Sequence, residues 1–307
     1  MLAAVAGVLL SLPWVKFPYL FDDYDFLERA QRFRWSYLGP DPTLIFYRPV
    51  SREIYFGILN AFSPQSALLG HVVNAGFLAA AILLTSHIAS RLAGPRAAVA
   101  AGFVLAFLAP MTVLVASVSC AQDLFAIVFT LLAVALAMRG RIGLSLASMA
   151  LAMLSKETAV AAAPAVVATQ MFRPPGSRRM VTLAAWLVLS IGLWAVIHPG
   201  IRLIVERGVS AEGTYIGIHN PSRWSSLVKS VVALANAPLR LPTPWPSDLN
   251  WVLAACAVPT LGAMIALGRR KPTEEVGPGQ TAAWKVFLFC GLLSLPPLIS
   301  VCFLVRI

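Results

Sequence analysis

The chain has 307 residues, of which 59% are hydrophobic and only 12% charged, a composition too apolar for a soluble globular protein of this size. Long runs of Ala, Leu and Val indicate helices and argue against an outer-membrane barrel, whose strands alternate in short segments. The net charge of +11 comes from basic residues in short loops between apolar runs, a pattern typical of membrane topology and not of nucleic-acid binding. The sequence therefore predicts an all-α, polytopic helical membrane protein that contacts membrane lipids and no nucleic acid.

The first apolar run, residues 1–14, is short for a membrane span. It lacks both the basic start and the cleavage site of a signal peptide. We expect this span to begin upstream of residue 1, and apolar sequence to continue beyond residue 307, so that the chain is a fragment of a longer protein.

An acidic stretch with interleaved aromatic residues follows at 17–27 and contains Asp22, Asp23 and Asp25. Charges close to a bilayer are costly, and aromatic rings suit the headgroup layer. The stretch therefore indicates an acidic site at the membrane surface. The alternative is that these aspartates only end a span and start the next helix, with Asp23 or Asp25 as its N-cap.

Residues 18–66 form a polar insert with two amphipathic segments, at 24–38 and 50–62. Apolar residues recur in both at helical spacing, with charged residues on another face. We expect these two helices to lie flat in the membrane interface. A Gly-Pro-Asp-Pro sequence at 39–42 separates them.

Apolar segments then predict spans at about 67–90, 97–118, 123–138, 142–154, 158–172 and 180–198. The basic loops at 91–96, 139–141 and 173–179 alternate with weakly charged loops, so the positive-inside rule places them in the cytoplasm. The 18–66 insert and the polar tips at 122–123 and 156–157 then face the extracytoplasmic side. Because 142–154 and 158–172 are short, we expect them to form a helical hairpin with Lys156–Glu157 at its tip.

The sequence after residue 200 is less informative. It predicts a polar outer loop, a re-entrant or surface helix at 225–238, and spans at 250–268 and 284–304. We therefore divide the chain into a catalytic transmembrane module at 1–200, which includes the 18–66 loop, and a C-terminal part at 201–307.

Polar groups that could perform chemistry gather on the predicted outer face: Asp22, Asp23, Arg48, Gln122, Asp123, Lys156 and Glu157. Two neighbouring carboxylates raise the pKa of one of them, which makes a general base workable near neutral pH. A fixed arginine can hold a phosphate bidentately, and a lysine can hold it as a point charge. The pattern therefore favours a site that binds phosphate and activates a hydroxyl.

Each of these residues also has a structural interpretation. Asp123 could cap its helix, Lys156 and Glu157 could pair with each other in a solvated turn, and Arg48 could extend towards the headgroups. His71 and Asn74 share one helix face and either contact a ligand or hydrogen-bond to a neighbouring helix. The sequence contains no zinc, haem or P-loop pattern, and a divalent metal stays open.

Five short motifs occur in an order that resembles the GT-C superfamily of membrane glycosyltransferases. They are Phe-Asp-Asp-Tyr-Asp-Phe at 21–26, Tyr-Arg-Pro-Val at 47–50, His-x-x-Asn at 71–74, Gln-Asp-Leu-Phe at 122–125 and Leu-Ser-Lys-Glu-Thr-Ala at 154–159. Within that superfamily the chain is most similar to the branch of protein O-mannosyltransferases, aminoarabinose-lipid A transferases and TMTC-type proteins. The resemblance covers residues 1–200.

The resemblance implies a GT-C-like bundle that transfers a sugar from a polyprenyl-phosphate donor, on the periplasmic or other extracytoplasmic side of the plasma or inner membrane. Asp22 or Asp23 would be the base, and Asp123 the second acid. Arg48 and Lys156 would contact the donor phosphate. Supporting positions would be Gln122, Glu157, His71 and Asn74.

The chain departs from the family pattern in two places. Residues 116–120 lack the Glu that often precedes the second acid, and no tetratricopeptide array follows. The roles of the supporting residues and the acceptor therefore stay open. We expect an inverting transfer to a hydroxyl of a protein, lipid or glycan. The alternative is a transporter or flippase for a lipid-linked or anionic solute, with Asp123 and Lys156–Glu157 as buried charges on its pathway.

Overall fold

The computed structural model describes residues 1–41, 46–107, 109–172 and 177–201, together with positions 285, 289, 290 and 292. All regular secondary structure within these residues is helical. The α-helices are α1 (Leu2–Ser11), α2 (Asp22–Gln31), α3 (Tyr55–Phe62), α4 (Leu68–Ala93), α5 (Pro95–Phe107), α6 (Ala109–Ala116), α7 (Ala121–Met138), α8 (Ile142–Ser155), α9 (Ala163–Ala168) and α10 (Ser177–Ile197).

Short tight turns connect several of these helices. Turns of 3₁₀ helix cover Leu12–Lys16, Trp35–Leu38, Val118–Cys120, Glu157–Ala162 and Thr169–Phe172, and a π-helical turn covers Pro49–Ile54. The predicted helix at 225–238 and the predicted span at 250–268 lie outside the described residues, as does most of the predicted span at 284–304.

Three helical segments in the described part of the chain are long and apolar enough to cross a membrane: Leu68–Ala93, Val118–Met138 and Met180–Ile197. The first, with 26 residues, is about 39 Å long at 1.5 Å per residue, which exceeds a hydrocarbon core of about 30 Å. The apolar helices α5 and α8 are shorter. The described residues therefore form an all-helical structure with three candidate membrane spans.

The helices pack around α7. It contacts α4 on one side and α8 on the other, while α1 and α5 pack against α4. Two thirds of the α7 span (67%) is buried, whereas only 17% of the α10 span is. Phe125 of α7 stacks on Phe77 of α4 with 4.1 Å between the ring centroids. The largest apolar core therefore surrounds α7, where α4, α8 and α9 pack against it, and α10 lies at the edge.

Four helices, α4, α7, α8 and α10, begin and end within three residues of the predicted spans. Within the predicted span at 97–118, the described residues are α-helical over α5 and α6. The predicted span at 158–172 is α-helical only over α9, between two 3₁₀ turns. Pro164 lies at the start of α9, and a proline has no N–H with which to continue a helix from the preceding turn.

The interfacial insert also differs from the prediction. The helix expected at 24–38 ends at Gln31, and a separate 3₁₀ turn begins at Trp35. The ring of Phe33, between the two, packs edge-on against both Trp35 and Tyr37. This small aromatic cluster forms where the predicted helix would have continued.

Candidate functional site

Arg48 and Glu157 form the centre of the site. Arg48 immediately precedes the π-helical turn, and Glu157 is the first residue of the 3₁₀ turn after α8. The guanidinium Nε donates to both carboxylate oxygens at 2.9 Å, and Nη2 donates to Oε2 at 2.6 Å. Nη1 donates to the amide oxygen of Gln122 in the first turn of α7. The arginine that was predicted to hold a phosphate therefore already binds Glu157 and Gln122.

A second ion pair lies beside the first. Lys156 Nζ donates to Asp123 Oδ1 at 2.5 Å. The backbone is extended at Lys156, and successive side chains on extended backbone point in opposite directions. Lys156 and Glu157 therefore bind different partners and do not pair with each other. The N-cap residue of α7 is Cys120, so Asp123 does not cap that helix.

His198, which the sequence did not single out, is the next neighbour of Glu157. It follows directly after α10, is buried, and places Nε2 3.5 Å from Glu157 Oε1. Its ring lies 4.7 Å from that of Trp194 and 6.4 Å from that of Tyr47. Both ring nitrogens lack hydrogen-bond partners among the described residues. The sequence does contain a signal for His198. It is a single histidine, directly before a proline, at the polar end of an apolar run.

The electrostatics of the site favour an ionised Glu157. Burial alone raises the pKa of its carboxyl group, but the charge and hydrogen bonds of Arg48, together with His198, outweigh that effect and lower the pKa to about 2. The site therefore holds an Arg48–Glu157 pair and a Lys156–Asp123 pair, two cations matched by two carboxylates.

The two adjacent aspartates at the start of α2 have different environments. Asp22 is exposed, whereas Asp23 is fully buried. Asp23 Oδ1 accepts from Ser119 N at 2.6 Å, and Oδ2 accepts from Leu20 N at 2.8 Å and Val118 N at 3.3 Å. Asp23 therefore ties the start of α2 to the 3₁₀ turn that precedes α7. The N-cap residue of α2 is Phe21, not Asp23 or Asp25.

His71 and Asn74 join helices. The ring nitrogens of His71 lie 2.7 Å from the carbonyl oxygen of Val115 and 3.0 Å from that of Phe17. Asn74 Nδ2 donates to the carbonyl oxygen of Ser117 at 3.0 Å, and its Oδ1 accepts from the hydroxyl of Tyr55. Both side chains are fully buried. Of the two sequence interpretations, the geometry agrees with the hydrogen bond to a neighbouring segment.

The polar tips that the sequence assigned to one face meet at one end of the bundle. The starts of α4 and α7 and the ends of α8 and α10 lie there, together with the π-helical turn. Ser51 of that turn donates to the carbonyl oxygen of Ser155 at 2.6 Å, which fixes the position of Arg48. At the opposite end of α4 and α7, Arg139 contacts His87. The structure thus gathers five predicted site residues, Arg48, Gln122, Asp123, Lys156 and Glu157, and holds Asp23, His71 and Asn74 in the framework beneath them.

We also looked for a ligand cleft and for side chains that could hold a metal ion. A cleft of about 460 Å³ lies beside α2 and is lined by Tyr19, Tyr24, Glu28, Gln31 and Gln65 among others, none of which belongs to the Arg48–Glu157 or Lys156–Asp123 pair. Within the described ranges, no group of three or more His, Cys, Asp or Glu side chains is arranged to hold a metal ion.

Comparison of the chain with protein-family models, with curated protein sequences and with solved structures finds no match. The resemblance to GT-C glycosyltransferases therefore rests on the motifs themselves. What the geometry adds is chemical: two cations and two carboxylates concentrated at one end of an apolar helical bundle, with an exposed aspartate on a neighbouring helix.

Proposed function

We propose that the chain is an integral-membrane, multi-pass glycosyltransferase of the GT-C type. It moves a sugar from a polyprenyl-phosphate donor to a hydroxyl acceptor on the extracytoplasmic side of the membrane, with inversion at the anomeric carbon. The observation that supports this proposal most is the convergence of Arg48 and Lys156 at one end of the bundle. Two cations at the end of an apolar bundle match a phosphate carried on a lipid tail.

The phosphate is the leaving group, and stabilising its charge is a major part of catalysis in such a reaction. Arg48 and Lys156 each have a carboxylate partner without the donor. Arg48 donates three of its five N–H groups to Glu157 and Gln122, and Lys156 donates one of its three to Asp123. A bound phosphate can accept from the remaining donors, so that both carboxylates keep their cations.

Asp22 is the better candidate for the base. Its carboxylate is exposed, whereas both oxygens of Asp23 already accept backbone N–H groups. In the proposed step the acceptor hydroxyl gives its proton to Asp22, and its oxygen forms a bond to the anomeric carbon. The bond from that carbon to the phosphate oxygen breaks, and its electron pair leaves with polyprenyl phosphate.

The apolar bundle would hold the lipid. Side chains along α10 remain exposed, among them Val188, Leu193 and Val196. Exposed apolar surface of this extent on a helix long enough to span a bilayer suits contact with lipid tails. The polyprenyl chain can then lie along the bundle while its phosphate reaches the charged end.

The experiment is release of polyprenyl phosphate from labelled polyprenyl-phosphate sugars by the purified protein in detergent, with and without an extract that supplies acceptors. The proposal predicts release that depends on both protein and acceptor. No release with any donor, together with passage of the labelled lipid across proteoliposome membranes, would contradict it and favour a flippase.

A further inference from the structure

A second basic cluster shares no residue with the Arg48–Glu157 pair. Arg29 of α2 and Arg52 of the π-helical turn bind the same carboxylate oxygen, Glu53 Oε1, through their Nε atoms at 2.9 and 2.8 Å. Glu53 is 3% exposed. We call these three residues the Arg29–Glu53–Arg52 cluster. It contains two guanidinium groups and one carboxylate.

The two arginines use only part of their hydrogen-bonding capacity. An arginine can donate five N–H groups, and a bidentate pair uses two parallel bonds. The terminal nitrogens of Arg52 donate to no residue that the structure describes, and its side chain is 11% exposed. Nη2 of Arg29 is buried without a hydrogen bond to any described residue, and it lies 3.8 Å from Oδ2 of Asp41. Arg48, by contrast, donates through all three of its nitrogens.

An aromatic ring lies beside each arginine of the cluster. The guanidinium carbon of Arg29 lies 4.3 Å from the ring centre of Tyr37, and that of Arg52 lies 6.0 Å from the ring centre of Phe26. The rings limit the orientations that the two planar groups can adopt and reduce their contact with water. Burial lowers the pKa of Arg52, and the charges of Arg29 and Arg48 lower it further, against the opposing effect of Glu53. Arg52 shares Glu53 with Arg29, which also has an oxygen of Asp41 3.8 Å from its Nη2.

We propose that Arg52, oriented by Glu53 and Arg29, binds a phosphate-type oxyanion through its free terminal nitrogens. A tetrahedral oxyanion accepts two parallel N–H bonds from one guanidinium group, and it gives Arg52 a second negative partner beside the carboxylate that it shares with Arg29. Two sources share this chemistry: the phosphate of an anionic phospholipid headgroup and free inorganic phosphate. The site uses residues other than Arg48 and Lys156, and the inference does not depend on glycosyl transfer.

The experiment measures binding by the full purified chain in a non-ionic detergent, without sugar donor or acceptor. The two probes are inorganic phosphate and a short-chain phosphatidylglycerol, each titrated by calorimetry. The variant is Arg52→Gln, and the matched control is Arg32→Gln, because Arg32 is an exposed arginine at the end of α2 whose one ion-pair partner among the described residues is Glu28. Binding is expected to weaken about tenfold or more in Arg52→Gln and by less than about twofold in Arg32→Gln.

The two probes distinguish the sources. Tighter binding of the phospholipid assigns the site to a headgroup, and equal binding of both assigns it to the phosphate group alone. Arg52→Lys serves as a second variant that retains the charge and loses the planar fork, in case Arg52→Gln does not fold. We expect it to weaken binding at least about threefold. No binding of either probe to the wild-type chain, or equal binding by Arg52 and Arg32 variants, would overturn the proposal and leave the transferase test unaffected.

Discussion

Arg48 and Glu157 are 109 residues apart in the chain and form an ion pair with 2.6 Å between Nη2 and Oε2. Their side chains are 12% and 19% exposed. A pair this deeply buried gains little over apolar neighbours, because both charges must lose their hydration. Removing only one partner is far more costly, since the other charge then stays buried and unpaired.

The first prediction concerns this pair. Arg48→Met should lower the free energy of unfolding by about 3–5 kcal/mol, because Glu157 would lose its cation. The double variant Arg48→Met/Glu157→Met should recover a large part of that loss. Chemical denaturation in detergent measures both. A loss below about 1 kcal/mol for the single variant would show that the pair is solvated and not buried.

The second prediction concerns pH. The folded pKa of Glu157, about 2, is below its ordinary value of 4.5, so the unfolded chain binds more protons than the folded chain between these two values. The contribution of Glu157 is therefore fully present above about pH 5 and is lost as the pH falls towards 2. It amounts to roughly 3 kcal/mol.

Other carboxylates titrate in the same range, so the measurement compares the wild type with Glu157→Gln at pH 5 and near pH 2. The stability advantage of the wild type should shrink across that interval by roughly the same 3 kcal/mol. Glu28→Gln, at an exposed i, i+4 pair with Arg32, is the control and should show no such change. An advantage that stays constant with pH would contradict the lowered pKa.

The third prediction separates the two adjacent aspartates. Asp23→Asn puts an amide donor opposite backbone N–H groups that now bind a carboxylate, and should cost about 2–4 kcal/mol of stability. Asp22→Asn, at the exposed neighbour, should change stability by less than about 0.5 kcal/mol. Thermal unfolding in detergent compares the two. Equal losses would mean that Asp23 does not hold the turn before α7.

Much of the helical framework could be predicted from the sequence, because α4, α7, α8 and α10 coincide with long apolar runs that polar or charged residues interrupt. Proline and local aromatic packing were harder. The segment at 158–172 is as apolar as a span, yet Pro164 divides it, and the amphipathic segment at 24–38 stops at Gln31. Hydropathy gives no sign of such local breaks.

The site could be predicted only as a set of residues on one face. The sequence pointed to Arg48, Asp123, Lys156 and Glu157 as individual residues. It did not show which of them pair with each other, because each ion pair joins segments far apart in the chain. Asp22 and Asp23 could not be distinguished, since burial depends on the distant turn at Val118–Cys120 that packs over one of them. The sequence did not identify Arg52, because only the structure shows which of its nitrogens bind Glu53 and which have no described partner.

The fourth prediction concerns the packing of α4 against that turn. A Cβ atom at Gly70 would lie 2.5 Å from Cγ1 of Val118, whose branched side chain has little freedom to move. Gly70→Ala should therefore cost about 1–3 kcal/mol. Gly76, on the same helix, has no atom within 4 Å of a Cβ, so Gly76→Ala should be neutral or stabilising by up to about 1 kcal/mol. Equal effects of the two variants on the thermal midpoint would contradict the close contact.

The most direct test of the proposed chemistry is the rate of acceptor-dependent polyprenyl-phosphate release by Asp22→Asn and by Asp25→Asn. Both aspartates are exposed on α2, three residues apart, so the substitutions are matched in charge and setting. A general base contributes about 10²–10⁴-fold to the rate. We expect Asp22→Asn to slow release by at least about 100-fold and Asp25→Asn by less than about twofold. Equal rates for the two variants would contradict the assignment of Asp22 as the base.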